Sequence, residues 1–155
     1  MDDTGRPKQL ELTIGRVRNL LDRRQINTSF YLSVNAAILA ATGLLVKDSQ
    51  LAKDWLWVSV LLLLLAGFLS TWIWRSLLNQ YEILIGWWYA RLREMEASLP
   101  EPERLITREY NELYGGGQPG KSRLISMTGR ERTLTTIFMV LYVAFALGVV
   151  WTLLR

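Results

Sequence analysis

The chain has 155 residues, is 50% hydrophobic, and carries 18 basic against 14 acidic side chains, a formal net charge of +4. It contains no cysteine and no histidine, which excludes disulfides, thiolate nucleophiles, zinc ribbons and catalytic units built on imidazole. We therefore expect neither an enzyme nor a cofactor or metal site. The length suits one domain, and the distribution of the apolar residues decides its class.

The first element, over residues 1–27, is predicted to be an amphipathic helix. Leu10, Ile14, Val17 and Leu21 recur at intervals of four, three and four residues, with charged residues on the other face. That polar face carries both signs of charge, which favours packing on another helix over adsorption to a lipid surface.

Three uncharged apolar blocks follow, at residues 28–46, 55–74 and 133–154. A helix needs about 20 apolar residues to cross a bilayer core of about 30 Å, and the second and third blocks meet this length easily. The first block is marginal because it contains polar and small residues such as Asn35 and Gly43. A chain this short has too little polar helix to cover three such blocks, so we predict three transmembrane helices.

Tryptophan marks the ends of these blocks. Trp55 and Trp74 are 19 residues apart, about 29 Å along a helix, which matches the thickness of a bilayer core. Five residues are predicted to anchor the spans at the membrane interface: Trp55, Trp57, Trp72, Trp74 and Trp151.

The basic residues predict the orientation. Residues 1–29 carry six Lys or Arg and residues 75–133 carry nine, whereas the loop between the first two spans carries only Lys47 and Lys53. Positive charge favours the cytoplasmic side, so the N-terminus and the middle segment are expected inside and the C-terminus outside. No cleavable signal peptide is expected.

The second helix is predicted to continue past its span to about Leu99, over residues 75–99, because an apolar stripe with heptad-like spacing persists until Pro100. This cytoplasmic stalk needs a coiled-coil partner, either the N-terminal helix or a neighbouring copy. Residues 100–132 are predicted to hold a short helix, from Glu103 to Tyr114, and a glycine-rich linker.

Two tempting motifs have simpler explanations. Residues 115–122 fit the phosphate-binding pattern G-x-x-x-x-G-K-[ST], but they follow a predicted helix instead of a buried strand, so nucleotide binding is not expected. The paired acidic residues alternate with arginines, which favours ion pairs over metal or acid–base chemistry. The basic residues flank the spans, so we expect them to meet lipid headgroups and not nucleic acid.

The first span has a polar face that leaves two interpretations open. One is packing within a three-helix bundle, with Asn35 hydrogen-bonded to a neighbouring helix. The other is lining of the axis of a ring, with Ile38 and Leu39 as a hydrophobic constriction. The candidate pore-lining residues are Thr28, Tyr31, Asn35, Ile38, Leu39 and Thr42.

Small residues at intervals of four predict close helix packing within or between copies. The candidates are Ala36, Ala40, Gly67, Ala144 and Gly148.

The run RRQINTSFYLSVN at residues 23–35 resembles the start of the small, octameric RipA-type membrane proteins of bacteria. Asn79, Tyr81, the run MEASLP at residues 95–100 and Glu109-Tyr110 extend the resemblance over most of the chain. More loosely, the chain is similar to multi-span membrane effectors of anti-phage defence. The glycine-rich linker departs from the family's pattern.

The resemblance implies a homo-oligomeric ring, an octamer, that opens a pore in the inner membrane when a phage or host protein triggers it. Combined with the spans, this predicts an all-α membrane protein that forms or gates a pore in abortive infection. The alternative is a scaffold without a pore, which anchors a cytoplasmic partner through its helical stalk.

Overall fold

A computed structural model describes residues 5–47, 53–113 and 127–155, and this described part contains helices without any strand. The helices are α1 (Gly5–Lys47), α2 (Lys53–Glu96), α3 (Leu105–Leu113) and α4 (Met127–Leu153), with one 3-10 turn at Glu101–Glu103. The prediction of an all-α fold is confirmed. The phosphate-loop-like run at residues 115–122 lies outside the described residues.

The segments predicted as an N-terminal helix and a first span form one continuous helix of 43 residues, α1. The interior Gly15 costs about 1 kcal/mol relative to alanine, which is too little to break a helix of this length.

The second helix, α2, has 44 residues and ends at Glu96, three residues before the predicted Leu99. Pro100 disfavours helical geometry in the residue before it, which is one reason for this end. The Arg104 side chain then donates to the Leu99 carbonyl from Nε at 2.7 Å and to the Ala97 carbonyl from Nη2 at 3.0 Å. These bonds satisfy carbonyls in the turn that follows α2.

Three helices are long and apolar enough to cross a membrane, and they contain the three predicted spans except for Leu154, the last residue of the third. The apolar stretches lie within Lys8–Lys47 of α1, Trp55–Glu96 of α2 and Gly129–Leu153 of α4. The chain also divides into two compact units. We call residues 25–78 and 131–155 the apolar unit, and residues 1–24 and 79–130 the polar unit.

The core of the apolar unit joins its three helices. Leu56, Val60 and Leu64 of α2 are buried together with Tyr142 and Val149 of α4. Part of α1 packs against this cluster through Ile38, Leu39 and Leu45. Lipid tails are as apolar as these side chains, so close packing and interhelical hydrogen bonds hold such a unit together within a bilayer.

In the polar unit, α1 and α2 pair antiparallel. Thr13 Oγ1 lies 4.0 Å from Met95 Sδ, and the Arg16 guanidinium lies 5.5 Å from the centre of the Trp88 ring. Rising residue numbers on α1 therefore meet falling numbers on α2. The N-terminal helix is thus a packing partner for the part of α2 that extends beyond the predicted span.

Candidate functional site

A polar cluster centred on Asn35 connects the three helices of the apolar unit. Asn35 is 0% exposed. Its Oδ1 lies 2.8 Å from the hydroxyl of Thr71 on α2 and 2.8 Å from the hydroxyl of Tyr142 on α4. Its Nδ2 donates to the Tyr31 carbonyl at 2.7 Å. Because a carbonyl only accepts, this last bond fixes which end of the amide faces the two hydroxyls.

The spacing of the sequence builds this cluster locally. Asn35 and Thr71 each bond to the carbonyl four residues earlier, at Tyr31 and Gly67 respectively, a common arrangement for polar side chains within helices. Gly67 is buried directly beneath the Tyr142 ring, where a Cβ atom would overlap the ring. The absence of a side chain at Gly67 therefore lets the Tyr142 hydroxyl reach Asn35.

Two more polar contacts link helices near the charged end of the apolar unit. Thr28 Oγ1 of α1 lies 3.4 Å from Glu131 Oε1 of α4. Arg75 Nη1 of α2 donates to Thr136 Oγ1 of α4 at 2.7 Å. The guanidinium and carboxylate next to the spans thus have partners inside the chain.

The six candidate pore-lining residues face other helices of the same unit in this structure. Thr28 and Asn35 make the contacts above, and Thr42 is buried with its hydroxyl on the Ile38 carbonyl at 2.8 Å. Ile38 and Leu39 pack against the apolar core, and Tyr31 stacks on Trp74. These contacts are those that the packing interpretation requires; the lining of a pore by this face stays a prediction.

Trp74 lacks the exposure that an interface anchor needs. Its ring is 1% exposed, stacks on Tyr31 at a centroid distance of 6.2 Å, and lies 6.4 Å from Phe138. Its Nε1 has no hydrogen-bond partner among the described residues. We therefore assign Trp74 to the core of the unit. The regular spacing of the tryptophans concealed this, because spacing along a helix does not tell which side a ring occupies.

The other four candidate anchors differ in exposure. Trp55, Trp72 and Trp151 are exposed, as lipid contact requires, whereas Trp57 is half-buried against the apolar core. Their role at the membrane interface stays a prediction.

The candidate packing residues divide in a similar way. Gly67 packs within the chain, whereas Ala36, Ala40, Ala144 and Gly148 are exposed. On α1, these exposed alanines share one side of the helix with further small residues at intervals of four, three, four and three. We call this side the small face of α1; its members are Ser29, Ser33, Ala36, Ala40 and Gly43. The sequence predicts Ala36 and Ala40 as packing residues and places the candidate pore-lining residues on the opposite side of the helix.

In the polar unit, Glu96 fixes the start of α3. Glu96 is buried, and its carboxylate accepts from the backbone N–H of Ile106 at 2.9 Å and of Thr107 at 2.8 Å. The Thr107 hydroxyl adds a third bond at 2.8 Å. A carboxylate at a helix N-terminus satisfies free amides and is favoured by the helix dipole. From the sequence, the acidic residues of this stretch are predicted only to form ion pairs with the neighbouring arginines.

Two exposed ion pairs match the predicted interleaving of acids and arginines. Arg91 Nη1 lies 2.7 Å from Glu94, and Arg108 Nε lies 2.9 Å from Glu112. The hydrogen bond to Glu112 raises the pKa of the Arg108 guanidinium. Exposed pairs of this kind contribute little to stability.

Replacing Glu96 with alanine is expected to loosen α3 by removing three hydrogen bonds to a charged acceptor, each worth about 1.5 to 3 kcal/mol at most. Hydrogen exchange over residues 105–113 should become at least tenfold faster. Glu94→Ala is the matched control, because Glu94 is an exposed acid two residues earlier that pairs with exposed Arg91 in the described part of the chain. Equal exchange in the two variants would contradict the role assigned to Glu96.

A lateral groove of about 300 Å³ runs between α2 and α4 beside the Asn35 cluster. Its walls are almost entirely apolar, formed by Leu61, Leu64, Leu65, Phe68, Tyr142, Val143 and Ala146. The groove has the character of a surface for hydrocarbon and offers no chemistry for catalysis.

Three long apolar helices joined by a buried polar cluster define a polytopic α-helical membrane protein. The chain belongs to the octameric membrane protein family (8xMP), whose model matches residues 7–151. The resemblance to small octameric membrane proteins is thereby confirmed, and the chain is an oligomeric membrane protein. Neither a curated protein nor a solved structure matches it.

Proposed function

We propose that the chain assembles into a ring around a membrane pore, with the small face of α1 directed toward the ring axis. One observation carries this proposal. Of the three spans, α1 is the least apolar and also has the smallest buried share. A lipid-facing surface favours the most apolar helix, and polar residues in a span face protein or water. Ser29 and Ser33 on the small face therefore favour an axial position for α1.

The octameric state in the family's description sets the scale of such a pore. Eight helices side by side at interaxial distances of about 8 to 10 Å have their axes about 10 to 13 Å from the centre. Subtracting a helix radius of about 5 Å leaves a lumen about 5 to 8 Å in radius. That width admits ions and small dyes and excludes folded proteins.

The biological role we propose is that of an effector in anti-phage defence, which permeabilises the bacterial inner membrane after a phage or host protein triggers it. The resemblance noted above supports this role. Basic residues are concentrated before the first span and after the second span. This distribution supports a cytoplasmic position for the N-terminus and the polar unit. The action is physical, by membrane leakage, and not catalytic.

Cysteine accessibility tests the pore, because the chain has no cysteine of its own. Single variants Ser33→Cys and Ala40→Cys report on the small face, and Ile38→Cys reports on the side that packs within the chain. A charged methanethiosulfonate reagent should modify Ser33→Cys and Ala40→Cys and reduce dye release from liposomes at least fivefold. Phe145→Cys, at an exposed position on α4, is the control for a lipid-facing thiol and should not react.

The outcomes separate the hypotheses. If the reagent modifies only Ile38→Cys and blocks dye release there, the pore is lined by the side of α1 that carries Asn35 and Ile38, and the small face is rejected. A stable octamer that releases no dye with any trigger would remove the pore. The defence role is tested in cells that express the protein. On these cells phage should form fewer plaques, and infected cells should depolarise before they lyse. An unchanged plating efficiency across a broad phage panel would contradict the defence role.

A scaffold without a pore is the second candidate. The observation in its favour is the fixed corner between α2 and α3, where Glu96 caps α3 and the Arg93 guanidinium lies 3.7 Å from the Tyr110 ring centre. Such a corner presents a constant surface to a partner. Absence of leakage, together with loss of function in Glu96→Ala, would favour the scaffold.

A further inference from the structure

We propose that neighbouring copies pack through the polar unit, with one edge of α1 seated against the back of α2 in the next copy. The α1 edge carries Ile14 and Leu21, and the back of α2 carries Ile83 and Trp87. The proposal rests on the ring assembly that the proposed function also uses, but it does not require a pore.

The first argument is exposure of apolar side chains where lipid does not reach. Ile83 is 75% exposed and Trp87 is 58% exposed. Ile83 lies nine residues beyond the predicted end of the second span at residue 74, about 14 Å along the helix, whereas the headgroup layer beyond the hydrocarbon core is about 5 to 8 Å thick. Large apolar side chains beyond that layer need cover from protein.

The second argument is the direction of these side chains. Ile83 and Trp87 are four residues apart and share one side of α2, whereas the buried Ile85 and Leu92 occupy the opposite side. On α1, Ile14 and Leu21 are seven residues apart and lie on one edge, beside the buried Val17. We call the antiparallel pair of α1 and α2 in the polar unit the hairpin. It thus has two different apolar patches, one on each helix.

Two different patches on one chain fit a ring. A cyclic assembly of more than two copies requires head-to-tail contacts, in which one patch of each copy meets the other patch of the next. The contacts of Thr13 with Met95 and of Arg16 with Trp88 set the levels along the hairpin. By extension, Leu21 lies at the level of residue 85, between Ile83 and Trp87. When hairpins stand side by side, Leu21 of one copy therefore meets these two residues of its neighbour.

The third argument is charge complementarity. Exposed side chains of α1 over residues 8–23 include four basic and two acidic residues. Exposed side chains of residues 79–112 include two basic and six acidic residues. Of these acids, Glu82 and Glu94 lie on the α2 stretch that carries the apolar patch, and the other four lie at residues 101–112. A basic α1 against this acidic side of the next copy is favoured over contact between two α1 helices.

Mixed disulfide formation tests the proposal directly in the full chain. Two single-cysteine variants, Leu21→Cys and Trp87→Cys, are made with different tags, mixed before assembly in detergent and oxidised. We expect a mixed disulfide dimer at least fivefold above the self-linked dimer of either variant. Asn19→Cys replaces Leu21→Cys in the control, because Asn19 is exposed on the other side of the same stretch of α1.

Each outcome has one meaning. Equal coupling of Asn19→Cys, dominant self-linked dimers, or no mixed dimer in a preparation whose mass is octameric would overturn the proposed contact. Mixed dimers in an octamer that leaks no dye would support the contact while the pore fails. Normal leakage without mixed dimers would leave the pore standing and reject this surface. Persistent reactivity of Trp87→Cys with a bulky maleimide in the octamer would indicate solvent or another partner there, and would also reject it.

Discussion

Asn35→Leu is expected to lower the free energy of unfolding by about 1 to 3 kcal/mol, measured as a fall in the thermal midpoint in detergent. The leucine removes the one acceptor that the Thr71 and Tyr142 hydroxyls share, and it fills the same space with apolar atoms. Interhelical hydrogen bonds in membrane proteins average about 0.6 kcal/mol and reach about 1.7, so the loss of both bonds supports an effect of this size.

Two further variants identify the cause. Ser33→Ala removes an exposed hydroxyl that bonds only to the Ser29 carbonyl of its own helix, and it should change stability by less than about 0.5 kcal/mol. In Asn35→Leu the Thr71 hydroxyl keeps the Gly67 carbonyl as an acceptor, whereas the Tyr142 hydroxyl loses its short bond to the Asn35 side chain. The triple variant Asn35→Leu, Thr71→Val, Tyr142→Phe removes that stranded hydroxyl, so part of the stability should return. If the triple variant loses the sum of the single effects, the cluster does not act as one network.

Gly67→Ala should destabilise the chain by about 1 to 3 kcal/mol, although alanine normally favours a helix by about 0.8 to 1 kcal/mol over glycine. The reason is the Tyr142 ring, which occupies the space that the new Cβ would need. To admit that atom, either the Tyr142 ring must shift or α2 and α4 must move apart, and both changes take the Tyr142 hydroxyl away from Asn35. The thermal midpoint and the proteolysis rate in detergent both report this change.

Gly148→Ala is the matched control on α4. Nothing in the described structure lies within 4 Å of a Cβ added there, so the helix preference of alanine should act alone and leave stability equal or higher. Both variants are also sized by light scattering in detergent. A Gly148→Ala variant that keeps the oligomeric mass of the unchanged chain and is as unstable as Gly67→Ala would contradict this explanation.

The sequence predicts the helices well because their signals are local. Uncharged stretches of about 20 residues and the proline at Pro100 are enough to place the spans and to end α2 within three residues of the expected position. The N-terminal helix and the first span join because neither proline nor glycine lies between Gly15 and Gly43. The sequence around Thr28 therefore already permits one continuous helix. Residue type and order thus carry most of the fold.

The site was less predictable because it depends on which side of each helix turns inward. Asn35 and Ser33 are two residues apart in the first span and lie on different sides of the helix. Periodicity alone does not tell which of these sides packs against the other helices. The buried partners of Asn35 lie 36 and 107 residues away, on α2 and α4. Trp74 shows the same limit, since its position at the end of a span suits both an anchor and a core residue. Only the packed helices distinguish these cases.

The Asn35 cluster also has a consequence for biogenesis. Tyr142 is encoded near the end of the chain, so during synthesis the first span enters the bilayer long before its last hydrogen-bond partner exists. Until then, the marginal first span retains a strongly polar amide that a translocon or a quality-control protease can recognise. α4 thus supplies the last hydrogen-bond partner of Asn35, and a nascent chain that stops before residue 142 is expected to be degraded faster than the full chain.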